Sequence, residues 1–144
     1  MAFAGYLIKC GSMSEEMTDG SDIKLLHSFI IAQSYHVSKK IFDLGSFRDA
    51  DGILKRTVLD HVSWTISFNI RAVTNTELQK FMNLIRSNYT SPKERKLSLK
   101  FYNPENDSYV TTDVYLPDPD FTIDKIIGTE EIKFKETQIK FIGY

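Results

Sequence analysis

Three histidines and one cysteine are the side chains of this 144-residue chain best suited to general-base, nucleophilic or metal-ligand chemistry: His27, His36, His61 and Cys10. A helical metal site needs two imidazoles three or four residues apart, so that they share a face. Here the spacings are nine and twenty-five residues, and each histidine reads as an ordinary surface or half-buried side chain. A single cysteine cannot form an internal disulfide or a site built from several thiolates. Pairing Cys10 with a remote histidine is a claim open to any chain that holds both residues. Asp49, Asp51 and Asp60 suggest a cation site, but Asp49-Ala50-Asp51-Gly52 stops short of the roughly twelve-residue calcium loop and lacks its closing glutamate. Gly45 and Gly52 do not make a phosphate-cradling pattern, and no Gly-Lys-Ser/Thr follows. A hydrolase needs a nucleophile, a base and an orienting group within reach of one another, and no such set is spaced along the chain. The expectation is a protein without catalytic residues, metal or cofactor.

The elements that would position these groups are mostly strands. Residues Phe29 to Lys39, with Ile30, Ile31, Tyr35 and Val37, read as a strand, long and with an irregularity. Asp51-Gly52 sits between two stretches able to pair and suits a tight reversal, because Asp-Gly favours positive φ. Trp64, Ile66, Phe68 and Ile70 alternate with Ser63, Thr65, Ser67 and Asn69, a period of two that buries one face. Thr74-Asn75-Thr76-Glu77 has the form of a capping box. Leu78, Phe81, Met82, Ile85 and Tyr89 follow as one apolar stripe, and Pro92 ends it, so one helix is expected over about 75–89. Leu97, Leu99 and Phe101 alternate with Lys96, Ser98 and Lys100, and Asn103 to Asp107 is a turn leading into Tyr109 to Leu116, a hairpin. Pro117-Asp118-Pro119 breaks the ladder, a further extended piece runs through Phe121 to Ile127, and Glu131 to Tyr144 reads as a last strand or hairpin. Gly11 to Asp22 has neither period and reads as a mobile loop. Strands, one helix, then strands again predict a single domain over 1–144: a mainly β fold, an antiparallel sandwich or partial barrel covered by a helix.

Composition narrows the class of function. Apolar residues at 42% and charged residues at 26% are those of an ordinary folded domain. With 18 basic against 19 acidic side chains, no overall attraction draws the chain to a phosphate backbone, so direct nucleic-acid recognition is not expected. Apolar runs such as Phe29-Ile30-Ile31-Ala32 fall far below the ~20 residues of a membrane span. The single cysteine suits folding in a reducing cytoplasm, and the N-terminal residues lack a secretory pattern, so no signal peptide is expected.

Several segments together resemble a family of short tail-associated structural proteins of phages and prophages of Gram-positive bacteria. They are Gly5-Tyr6-Leu7-Ile8-Lys9, Arg48-Asp49-Ala50-Asp51-Gly52-Ile53-Leu54-Lys55-Arg56, and Thr74-Asn75-Thr76-Glu77-Leu78 at the start of the helix. Phe101-Tyr102-Asn103-Pro104-Glu105, Val114-Tyr115-Leu116-Pro117-Asp118 and the closing Ile139-Lys140-Phe141-Ile142-Gly143-Tyr144 complete the set. The resemblance implies a tail-tube-like fold, a place in the virion tail or baseplate, and partners that are copies of itself, six in a ring around the tail channel or else a trimeric or adaptor arrangement, with other tail proteins. Gly11 to Asp22 is longer than the connection the resemblance implies.

Sheet edges of adjacent copies can pair in such a ring, and the hairpin Phe101 to Leu116 is a candidate edge. Arg48, Asp49, Asp51 and Arg56 flank the Asp-Gly turn and are the candidate subunit-interface or loop-fixing residues; their bland alternative is solvated hairpin charge. A competing reading is a monomeric β-barrel or sandwich module that binds a small ligand or host glycan on an aromatic platform such as Trp64 and Tyr102.

Overall fold

The computed structural model describes residues 3–144, and of these the side chains of 41–44, 46 and 56–61 lie outside the description. In chain order the elements are β1 (Ile8–Cys10), α1 (Asp22–Phe29), β2 (Ile30–Arg48), β3 (Leu54–Ile70), β4 (Val73–Thr74), α2 (Asn75–Arg86) and β5 (Tyr89–Ser91). They continue with β6 (Lys96–Asn103), β7 (Ser108–Tyr115), β8 (Ile123–Ile126), β9 (Ile132–Phe134) and β10 (Thr137–Gly143). Every strand pair is antiparallel, and the protein is mainly β, as the order of elements predicts.

The period-two segments supply the core. On β3 the side chains of Ile66, Phe68 and Ile70 are buried, and on β6 those of Leu97, Leu99 and Phe101. The larger sheet runs β1-β6-β7-β10-β3-β2, with β5 also on β6. β1 pairs with Leu99 to Phe101 and β5 with Lys96 and Leu97, so the two short strands share one edge of β6. β3 and β6 are separated by two strands in this sheet, yet the Trp64 ring meets Phe101 at 5.1 Å. The Tyr35 hydroxyl on β2 donates to the Tyr102 carbonyl on β6 at 2.6 Å. The sheet is therefore rolled into a partial barrel. A second sheet, β4-β9-β8, lies beside α2.

The capping box forms as its residues dictate: Thr74 Oγ1 accepts from Glu77 N, and Thr74 N donates to Glu77 Oε1. Arg71 Nη2 donates to Glu77 Oε2 at 2.8 Å, tying the cap to the end of β3. The helix ends at Arg86 and not near residue 89. Ser87 Oγ and Asn88 Nδ2 both donate to the Leu84 carbonyl, taking the acceptor that a further turn would use. Pro92 favours an extended residue before it, and Tyr89–Ser91 forms β5.

The described residues hold two helices where the sequence analysis expects one. Ser21 caps α1 by accepting from Lys24 N, and Ile23, Leu26 and Phe29 go into the core. Phe29 meets Phe81 of α2 edge-on at 5.5 Å. Eight residues give barely two turns, too short for a helical period to stand out beside the β-branched run that follows. The final segment also differs: β9 and β10 belong to different sheets and do not pair with each other. Gly11 to Ser21 carries no helix or strand, but it is tethered. Met13 is buried, and Glu15 Oε1 accepts from the Tyr6 hydroxyl at 2.8 Å and from Lys100 Nζ at 2.6 Å.

Close approach at the end of β10 makes a testable demand. A Cβ on Gly143 would stand 3.0 Å from both N and O of the Trp64 backbone, atoms that cannot rotate away. Gly143→Ala is expected to destabilise the fold by about 1–3 kcal/mol, as overpacking does. Gly128→Ala, with open space around the added methyl, is expected to stay within about 0.5 kcal/mol. Urea midpoints of the two variants check the contrast.

Candidate assembly interface

Two of the four groups most capable of chemistry, His27 and Cys10, have structural employment. The His27 Nε2 accepts from Leu7 N at 2.8 Å, and Nδ1 lies 2.8 Å from the Ile23 carbonyl. The neutral ring, protonated on Nδ1, satisfies both contacts and bolts α1 to the chain entering β1. Burial, opposed by the bond to Ile23, holds its pKa below the ordinary value. Cys10 is fully buried, and burial pushes its thiol up to about 12; a thiolate nucleophile is not on offer. His36 lies on β2 opposite Ser67, while the side chains of Asp60 and His61 lie outside the described residues. Among the described residues no three His, Cys, Asp or Glu side chains converge as a metal site.

Three of the four charged residues singled out around the Asp-Gly turn fall together at the end of a long ribbon. β2 and β3 pair as far as Arg48 and Leu54. The turn between them is wider than a two-residue reversal: Asp49 N donates to Ile53 O, and Gly52 N to Asp49 O. Asp49 Oδ1 accepts from Asp51 N and Ile53 N, each at 3.0 Å, and Arg48 Nη1 donates to Gly52 O at 3.0 Å. Lys55 Nζ is 3.9 Å from Asp49 Oδ2. Gly52 has a φ of 81°, a conformation in which a side chain is strained. Asp51 contributes its backbone, and its side chain is exposed; the side chain of Arg56 lies outside the described residues.

Trp64 and Tyr102 do not share one platform, and Tyr102 instead meets the Phe3 and Tyr109 rings at 5.3 and 5.6 Å. Trp64 packs on Phe101, and Tyr102, the next residue of the strand, points to the opposite face. The hairpin read from Phe101 to Leu116 forms as β6 and β7, but it is not a free edge throughout. β1 and β5 cover β6, and β10 pairs with β7 at Val114 and Tyr115 only. Tyr144 N donates to the Asp113 carbonyl, so the backbone groups of Thr111 and Tyr109, which alternate with it, face the uncovered side of β7.

Sequence reasoning missed the exposed apolar side chains, which gather in two places. Of the ten large exposed hydrophobics among the described residues, three lie at the ribbon's end: Phe47, Ile53 and Leu54 at 66%, 53% and 46% exposure. Four lie within Phe121 to Ile127: Phe121, Ile123, Ile126 at 75% and Ile127. This second group includes β8, the outer strand of the smaller sheet, with all four of its residues exposed. A free strand edge bearing apolar side chains invites another chain.

The family model for DUF6711, a family of unknown function, matches residues 1–144. The chain belongs to that family. No curated protein matches it. Among solved structures it is similar to a chain described as "Tail of empty GTA particle computed with helical refinement, C6 symmetry", with 12% identity and a TM-score of 0.46 over 81% of this chain and 78% of that one. No helix of the described residues is long and apolar enough to cross a membrane.

His27 and Cys10 give two measurable consequences. The folded protein holds His27 neutral, so below the ordinary histidine pKa of about 6.5 the unfolded chain binds more protons. Stability is fully present above that value and falls as pH drops through the window towards the depressed pKa. His27→Ala is expected to cost about 1–3 kcal/mol at pH 8, by leaving Leu7 N unsatisfied. It is also expected to flatten the decline between pH 8 and pH 5.5, read from urea midpoints at each pH. Cys10 is expected to resist a thiol reagent such as 5,5′-dithiobis(2-nitrobenzoate) at pH 8 in the native protein and to react once urea unfolds it.

Proposed function

We propose that this protein is a structural subunit of a phage or phage-derived particle, a non-enzymatic building block of its tail or baseplate that assembles with copies of itself into a ring around the tail channel. The observation that carries the reading is the β2–β3 ribbon. β10 pairs with β3 only from Thr65 to Ile70, and among the described residues no further strand pairs with Leu54 to Trp64. At about 3.3 Å per residue, roughly 30 Å of two-stranded ribbon extends past its last supporting strand. An isolated two-stranded hairpin is marginal in water, and this one ends in Phe47, Ile53 and Leu54. A partner that covers those side chains would supply the missing third layer of contact.

Side chains tie the base of the ribbon to the β6–β7 hairpin. Lys39 Nζ reaches Glu105 Oε2 at 3.2 Å and sits 5.7 Å from the centre of the Trp64 ring, and Tyr35 bonds across to β6. At its far end the Asp49 carboxylate and the Arg48 guanidinium fix the turn. In this reading those charges present the apolar tip to a neighbour. The resemblance of the sequence to tail-associated proteins agrees with such a part, and the place of synthesis would then be the host cytoplasm.

Light scattering across a concentration series, with negative-stain imaging of any large species, tests the proposal. A closed species at a fixed multiple of the 16.6 kDa chain is the expected result. Phe47→Asp combined with Leu54→Asp should raise the association midpoint at least tenfold. Melting temperatures are compared below the association midpoint, where loss of the partner does not itself lower them, and the partly covered side chains should cost no more than about 1 kcal/mol each. A strict monomer at every concentration would overturn self-assembly and favour a monomeric binding module.

A further inference from the structure

The helix α2 separates two surface features that do not match each other within one copy but match across two. Twelve residues make α2 a strut about 18 Å long at 1.5 Å per residue. Near its C-terminal end opens a cleft of about 620 Å³, within the roughly 300–1,000 Å³ typical of pockets that enclose a ligand. Met82, Tyr89, Pro92 and Phe121 give it apolar walls, and Arg86 and Arg95 give it charge. Arg86 Nη1 donates only to the neutral oxygens of Gln79 and Asn83, each at 3.3 Å, and pairs with no carboxylate among the described residues. Arg95 pairs with Asp118, whose side chain is largely in water. Two guanidiniums against one carboxylate leave the cleft cationic.

At the N-terminal end of the same helix stands the turn between β8 and β9. Asn75 fixes it with both ends of its amide: Nδ2 donates to Glu130 O at 3.1 Å, and Oδ1 accepts from Ile132 N at 3.2 Å. Ile127 N and Gly128 N both donate to Glu131 O, closing the turn. It displays Ile126 and Ile127 as exposed apolar side chains. Glu130 and Glu131 are exposed beside them, and neither carboxylate has an ion-pair partner among the described residues. The turn at one end of the strut is therefore apolar and anionic, and the cleft at the other apolar and cationic. Holding both on one rigid helix keeps them from meeting inside a single copy.

We infer that the β8–β9 turn of one copy docks in the Arg86–Arg95 cleft of the next. Ile126 or Ile127 enters between Met82, Pro92 and Phe121, and Glu130 and Glu131 meet the guanidiniums. The two patches are different surfaces, so the contact is heterologous: repeated, it closes a ring or continues as a filament. Lys125 and Lys133 stand directly opposite one another on the same arm, a like-charge pair that disfavours the hairpin in isolation. This inference rests on self-assembly and says which surfaces carry it.

Two charge reversals test it: Arg86→Glu, and Glu130→Arg combined with Glu131→Arg. Sedimentation velocity is run on the unaltered chain, on each variant alone and on their one-to-one mixture, with far-ultraviolet circular dichroism as a check on folding. Each variant alone opposes like charges at every contact and should lose association at least tenfold. In the mixture every contact between unlike copies is again complementary, and association should return. Variants that assemble like the unaltered chain, or a mixture that fails to recover, would overturn the docking while leaving self-assembly through the ribbon intact. An unaltered chain that stays monomeric at every concentration removes self-assembly, and the inference with it.

Discussion

The rolled sheet depends on its last strand. β1, β6 and β7 form one group of strands and β2 and β3 another, and within the larger sheet β10 alone joins them. It does so with six residue pairs to β3 but only two to β7, at Ile142 and Gly143, so the seam is narrow on one side. Side chains reinforce it: the Tyr115 and Tyr144 rings meet edge-on at 5.6 Å, with Lys96 Nζ 4.8 Å from the Tyr144 ring centre. The core rests on this seam, since Ile139 and Phe141 of β10 are fully buried and Phe141 lies near Phe68 of β3. Seven residues of β10 cannot support seventeen of β3. The unsupported ribbon is the geometric remainder of that difference in length, and the same shortness leaves most of β7 uncovered on that side.

The local parts of this fold were legible because they are written at short range. Alternation along Trp64 to Ile70 and Lys96 to Phe101, the capping box at Thr74, and the turn around Asp49 to Gly52 each depend on residues within a few positions of one another. The helix α1 was not legible, since Ile23, Leu26 and Phe29 give too few repeats to outweigh the β-branched run from Ile30. The separation of β9 from β10 was not legible either, because it is decided by β9 pairing with β4 and β10 pairing with β3, strands far earlier in the chain. The candidate interface shared this limit. Charges beside the Asp-Gly turn could be picked out and placed at a hairpin end. Nothing in the run Ile123 to Ile127 tells that it forms an outer strand with its apolar side chains in water, because that depends on which strand lies next to it.

Chemistry-bearing side chains lose their reactivity through the same packing. Closing α1 over the core places His27 between Leu7 and Ile23, where both ring nitrogens are engaged. Pairing β1 with β6 seals Cys10 away from water, and a thiol without solvent or a nearby cation stays protonated. Tyr35, whose ionisation burial opposes, spends its hydroxyl on the Tyr102 carbonyl. With these three groups engaged, the exposed features that stand out among the described residues are the uncovered strand edges and the apolar side chains of the ribbon's end and of β8.

Energy decides whether one such surface would suffice for assembly. Fully burying a large apolar side chain is worth about 1.5–3 kcal/mol. Phe47, Ile53 and Leu54 are already about half covered, so closing over all three gains roughly 2–5 kcal/mol. Association costs about 4–15 kcal/mol in lost translational and rotational freedom. The ribbon's end alone therefore falls short or barely breaks even. A second contact made by the same pair of subunits pays no further cost of bringing them together, and that arithmetic gives the exposed strand β8 and its turn a physical reason to take part.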